Sequence, residues 1–162
     1  MIIAVIGGET CTDREGAIAY EAGLAIARRG HTLLCGGRGG VMREACRGAK
    51  DGGGLTVGVL PGEDRSDMNE FVDIPIVTGL GFARNTIIAR TADALIAIGG
   101  RYGTLSEIAF AFIARKPLVA IESWQLVLPT GEPAPIRLAA TADDAVTVCE
   151  RLALKEQARV NQ

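Results

Sequence analysis

The chain of 162 residues is 48% hydrophobic and 22% charged, the make-up of one globular domain burying about two-thirds of the surface its unfolded chain exposes, and this excludes a multi-domain machine. Lys and Arg number 17 against 19 Asp and Glu, a formal net charge of −2, so no uniform positive field draws nucleic acid or an acidic membrane surface. No apolar run approaches the roughly 18 residues that cross a bilayer, and the opening Met1-Ile2-Ile3-Ala4-Val5-Ile6-Gly7 carries no basic leader; a cytoplasmic protein without membrane or nucleic-acid partners is expected.

Short β-rich runs with little charge alternate with helical stretches along the chain. Strands are predicted at residues 2–6, 32–35, 55–60, 74–77, 94–98 and 118–121, nearly continuous apolar runs of the kind found in parallel strands covered on both faces. The first helix is predicted over 13–29, with Ala17, Tyr20, Leu24 and Ala27 on one stripe, Arg28 and Arg29 in its last turn and Gly30 as its stop. Further helices are predicted over 41–51, 82–91, 105–115 and from 143 to about 156. The alternation predicts an α/β fold, a doubly wound, mostly parallel sheet with helices on both faces, in a single domain spanning 1–162. Irregular stretches are expected at 61–73, either a mobile lid or a plain surface loop, and at 123–135.

The 21 glycines cluster where strands must turn into helices. Gly7-Gly8 follows the first strand, Gly36-Gly37-Arg38-Gly39-Gly40 the second, and Gly99-Gly100-Arg101-Tyr102-Gly103-Thr104 the fifth. On an open α/β sheet ligands bind beyond the carboxyl ends of the strands, and a glycine-rich turn opening a helix presents unpaired N–H groups suited to phosphate. Such turns also serve simply as tight connections. The spacing lacks the Gly-Lys of a P-loop, and Met42 stands where the dinucleotide fingerprint needs a small residue, so ordinary ATPase and NAD dehydrogenase readings drop.

Thr104-Leu105-Ser106-Glu107 has the form of a helix capping box, as Thr12-Asp13-Arg14-Glu15 has. Glu107 therefore reads either as a cap or as a carboxylate at the mouth of a phosphate site. Arg84 at a helix start opposes the helix dipole and calls for a ligand anion or Glu107 as its partner, unless it is a solvated surface residue. Arg38 and Arg101, inside the glycine loops, are candidates to grip phosphate or stack on a flat base. Cys11, Cys35, Cys46 and Cys149 are scattered without C-x-x-C spacing, so reduced thiols and no metal site are expected. His31, the single histidine, reads as a loop residue without a chemical role.

These residues resemble the lysine-decarboxylase-like superfamily, which includes the Lonely Guy phosphoribohydrolases and the molybdenum cofactor carrier proteins. The match is carried by Gly36-Gly37-Arg38-Gly39-Gly40-Val41-Met42, Gly53-Gly54, Gly58-Val59-Leu60-Pro61, Arg84 and the stretch from Gly99 to Glu107. The family hallmark Pro-Gly-Gly-x-Gly-Thr-x-x-Glu is met with Gly99 in place of proline and Arg101 in place of the second glycine. The resemblance implies a Rossmann-like homo-oligomer, a homodimer or homotetramer, with its site at those loops. It implies that, in the hydrolase branch, the arginine matching Arg84 and the glutamate matching Glu107 hydrolyse the N-glycosidic bond of nucleoside 5'-monophosphates.

Asn85 stands where that branch has lysine, and Met42-Arg43-Glu44 also departs from it, which points toward the small carrier branch. The expectation is thus a carrier or sensor of a phosphorylated planar ligand, a nucleotide or the molybdopterin cofactor, with the phosphoribohydrolase as the alternative. No further cofactor is expected. Pyridoxal phosphate in particular needs a Schiff-base lysine, and Lys50, Lys116 and Lys155 all lie away from the loops. The apolar helix 105–113 is the expected oligomer contact.

Overall fold

The structure, a computed structural model, describes residues 1–160; positions 161 and 162 of the expected domain lie outside the described residues. In chain order the elements are β1 (Ile2–Gly7), α1 (Asp13–Arg28), β2 (Thr32–Cys35), α2 (Val41–Asp51), β3 (Thr56–Leu60) and β4 (Ile74–Val77). A 3-10 turn (Gly81–Arg84) then leads into α3 (Asn85–Thr91), followed by β5 (Ala94–Ile98), α4 (Tyr102–Ile113), β6 (Leu118–Ile121), β7 (Arg137–Leu138) and α5 (Ala142–Val160). The strands form one sheet in the order β4-β3-β2-β1-β5-β6-β7, and every pairing is parallel. The fold is α/β, Rossmann-like and doubly wound.

Strand periodicity sorts the core into two layers. Ile3 and Val5 of β1, Leu33 of β2 and Ile96 and Ile98 of β5 pack with α1, α2 and α5. Ala4, Ile6, Leu34, Leu95 and Ala97, which alternate with them, pack with α3 and α4. Thr12 caps α1 with both halves of the capping box formed by Glu15. Beyond the other end of α1, Arg29 reaches Asp143 and Glu150 at 2.5 and 2.9 Å, and His31 Nε2 lies 2.7 Å from Glu150 Oε1. His31 thus helps fasten α5 to the turn between α1 and β2.

The stripe predicted for α1 is rotated. Its buried residues are Gly16, Ala19, Ala22, Gly23, Ile26 and Ala27, whereas Ala17 is exposed and Tyr20 and Leu24 are half-buried. The neighbour supplies the reason: α1 meets α2 backbone to backbone, with Gly23 against the Ala45 carbonyl and Gly48 against the Tyr20 carbonyl, so small residues define the contact. The strand β7 escaped prediction because it is two exposed residues at a sheet edge. Helix α4 begins at Tyr102 instead of 105, which puts Arg101 at the N-cap without a side-chain cap bond. The capping box expected of Thr104 and Glu107 is consequently not formed, and Glu107 lies in the second turn.

Candidate functional site

The chain steps from β1 toward β4 on one side of the sheet and resumes at β5 on the other, so the carboxyl ends of β1 and β5 leave a crevice between them. A cavity of about 320 Å³ opens there. Gly7 and Gly8 line it after β1, Arg38 from the loop after β2, Arg84 from the turn before α3, and Arg101, Gly103, Thr104 and Glu107 from the start of α4.

The remaining expected residues sit around this cavity and not in its wall. Gly36 and Gly37 are buried beneath it, and Gly36 is glycine because a Cβ there would lie 2.6 Å from both Arg84 Nη2 and Met42 Sδ. Gly39 and Gly40 pack on the backbone of Glu9, and the α2 N-terminus is partly satisfied by the bond from Val41 N–H to the Gly8 carbonyl at 3.0 Å. Gly99 and Gly100 border a separate, shallower hollow with Glu15 and Trp124. Tyr102 is 82% exposed, beside Trp124 at 6.3 Å between ring centroids.

Glu9, Thr10, Met42, Phe82 and Asn85 also line the cavity and were missed. Glu9 and Thr10 could have been found from their place directly after Gly7-Gly8; nothing in the sequence marks Phe82, which is 78% exposed. Asn85, in the place of the hydrolases' lysine, donates its side-chain amide to Ser106 Oγ at 2.8 Å and to the Gly103 carbonyl at 3.3 Å. It therefore ties α3 to α4.

Arg84 and Glu107 meet at the cavity floor, with side chains each only 8% exposed and Arg84 Nη1 3.9 Å from Glu107 Oε1. That separation is an ion-pair contact and no hydrogen bond. Arg84 Nε and Nη1 and Arg38 Nε are buried without a hydrogen-bond partner among the described residues, an arrangement that costs free energy until an acceptor arrives. Burial pushes the Glu107 carboxyl up to about 8, with Arg84 pulling the other way. The same burial disfavours charge on Arg84, and Glu107 opposes that shift. A guanidinium and a carboxyl that still holds its proton near neutrality thus share one enclosed floor.

The segment 61–73 is anchored at its far end: Asn69 is buried and donates its side-chain amide to the carbonyls of Gly37 and Arg38 at 3.1 and 2.9 Å. Its exposed tip contacts the site through Asp67, 3.5 Å from Arg38, whose guanidinium also lies 2.7 Å from Glu9. A larger groove of about 870 Å³ lies by the amino end of β6, between Arg115, Lys116, Arg137 and Lys155. It is far from the glycine loops, and the ends of α4 and α5 that border it favour cations there. The crevice at β1 and β5 is the better candidate. Lys116 and Lys155 belong to that distant groove, and Lys50 is paired with Asp73 at 2.6 Å. Among the described residues no group of three His, Cys, Asp or Glu side chains is placed to hold a metal, and no helix is long and apolar enough to cross a membrane.

A doubly wound parallel sheet with an arginine and a glutamate buried at its switch point defines the class. The chain belongs to the SLOG cluster4 family, whose model matches residues 1–151. An uncharacterised protein of Archaeoglobus fulgidus is 43% identical over 155 residues, covering 92% of this chain and 94% of that one. A cytokinin riboside 5'-monophosphate phosphoribohydrolase of Mycobacterium tuberculosis is 35% identical over 116 residues, 66% of this chain and 62% of the enzyme. Among solved structures, the molybdenum cofactor binding protein of Rippkaea orientalis superposes with a TM-score of 0.85 at 37% identity, covering 93% of this chain and 96% of that one. The molybdenum cofactor carrier protein of Chlamydomonas reinhardtii gives 0.82 at 39%, covering 95% and 98%.

Proposed function

We propose that this protein binds a phosphorylated planar ligand, a nucleotide or the molybdopterin cofactor, in the crevice between β1 and β5, and acts as its carrier or sensor. The observation that carries this reading is the set of buried, unpartnered donors on Arg84 and Arg38 around a cavity whose third arginine is Arg101. A phosphate or other oxyanion would satisfy them, and the uncapped start of α4 beside them favours the same charge. The likeness to molybdenum cofactor carriers over nearly the whole of both chains supports this reading. The cofactor would be cargo; no resident cofactor, metal, pyridoxal phosphate or nucleic acid enters the proposal. The four free thiols fit a cytoplasmic setting.

A second reading is favoured by one observation, the buried Glu107 carboxyl 3.9 Å from Arg84, where burial raises its pKa to about 8. In a phosphoribohydrolase, Glu107 would give its proton to the departing base as the N-glycosidic bond breaks. Water would add to the anomeric carbon and give a proton back to the Glu107 carboxylate, and Arg84 would hold phosphate. Incubation with a panel of nucleoside 5'-monophosphates distinguishes the two readings. A carrier shows ligand-induced thermal stabilisation without release of base, and Arg84→Ala weakens that binding about 30- to 100-fold. Base release that disappears in Glu107→Ala would establish the hydrolase and sink the pure carrier.

The proposal includes a homodimer or homotetramer. The outer face of α4 exposes Ile113 (67%) and Ala109, and Phe82 and Leu80 are exposed beside the site. Burial of this face against another copy would remove the apolar area from water. Light scattering at micromolar concentration should give a multiple of the 16.9 kDa chain mass; a monomer would refute this part.

A further inference from the structure

Cys35 ends β2 and Cys46 lies in the middle of α2, both fully buried and both free thiols. Their sulfur atoms are 3.4 Å apart. The backbone N–H of Gly37 donates to Cys35 Sγ at 3.2 Å. The hydrogen bond from Cys46 and that from Gly37 hold the Cys35 thiol below its usual range against burial, and Arg84 acts in the same direction. The hydrogen bond with Cys35, followed by burial, pushes Cys46 up. One sulfur is thus disposed to lose its proton and its neighbour to keep one, the division of labour of an attacking and a resolving thiol.

We propose that Cys35 and Cys46 form a reversible redox-modification site that closes to an intramolecular disulfide on exposure to hydrogen peroxide. The Cys35 thiolate attacks one peroxide oxygen, the O–O bond breaks, and the departing hydroxide takes a proton to leave as water. Cys35 is then a sulfenic acid. Cys46 sulfur attacks it, the S–O bond breaks, and a second water leaves with the proton from Cys46. Two thiols have lost two electrons and two protons, and one peroxide has become two waters. Peroxide is small enough to enter during local opening of the loop.

The modification reaches the candidate site through the backbone. A disulfide bond is about 2.05 Å long, so the sulfurs must close by more than 1 Å within a tightly packed interior. Cys35 leads directly into Gly36 and Gly37, and Gly36 underlies the Arg84 guanidinium. Closure therefore displaces the floor on which Arg84 rests, whichever ligand the cavity takes.

The test uses the full reduced chain, treated with a few equivalents of hydrogen peroxide, then denatured and alkylated for mass spectrometry. The titre of four thiols should fall to two, with a peptide cross-linked between Cys35 and Cys46 that dithiothreitol releases. The cross-link should persist in Cys11→Ser. In Cys46→Ser, or Cys46→Ala should the buried hydroxyl unfold the chain, Cys35 should stop as a sulfenic acid trapped by dimedone. Amide exchange across 36–42 should change by about threefold or more on oxidation. Oxidation confined to Cys11, over-oxidation without the cross-link, or a cross-link that leaves exchange at 36–42 unaltered would each overturn the proposal.

Discussion

Glu107→Gln should make the protein more stable at high pH and remove most of one component of its pH dependence. The carboxyl ionises near its usual 4.5 in the unfolded chain but only at about 8 when folded, because burial disfavours the charge. Between those values the folded state holds a proton that the unfolded state has released, so stability falls as pH rises from 4.5 to about 8 and levels off beyond. The stability that the protonated carboxyl retains is fully present below pH 4.5. The difference between wild type and Glu107→Gln, measured by urea unfolding at pH 5 and pH 9, should widen by on the order of 4 kcal/mol in favour of the glutamine variant. Parallel profiles would show that Glu107 is ionised at the cavity floor, which would also remove the proton donor that the hydrolase reading requires.

Gly48→Ala should destabilise the fold by about 3 kcal/mol, lowering Tm by roughly 6–12 °C. A methyl group there would run into the Tyr20 carbonyl of the facing helix, and neither backbone can retreat without opening the packing between α1 and α2. The helix propensity gained by alanine, about 1 kcal/mol, offsets only part of that strain. Gly16→Ala is the control, since its Cβ would meet Cys11 Sγ and Glu44 Cγ at an ordinary 3.5 Å. It should be neutral or stabilise the protein by up to about 1 kcal/mol. Equal effects at the two positions would mean that the helix pair has slack which the structure does not show.

Position Gly16 also shows how a correct local reading can be placed on the wrong face. Period and composition locate α1 to within one residue at its end, yet the stripe chosen from Ala17, Tyr20, Leu24 and Ala27 favoured the larger side chains. Close approach to α2 favoured the smallest ones instead, and that preference exists only when both helices are present. The same limit applied to Thr104 and Glu107. Their spacing matches a capping box as well as Thr12 and Glu15 do, but the two sites diverge where the chain enters the helix. Thr12 caps α1, whereas α4 starts at Tyr102 and carries Glu107 around into the cavity.

By itself the sequence determined the alternation of strands and helices, the boundaries of β2, β4, β5, β6 and α2, and the glycine loops, because local periodicity and chain-turning residues act over a few neighbours. It also singled out Arg84 and Glu107 through residue type and resemblance. Only the tertiary structure decided that these two side chains share one buried floor, that Asn85 is spent on joining α3 to α4, and that Arg38, Arg84 and Arg101 converge. Sheet order brings together loops separated by some sixty residues of chain, and burial, which sets the protonation of Glu107, belongs to the assembled crevice and to no single segment.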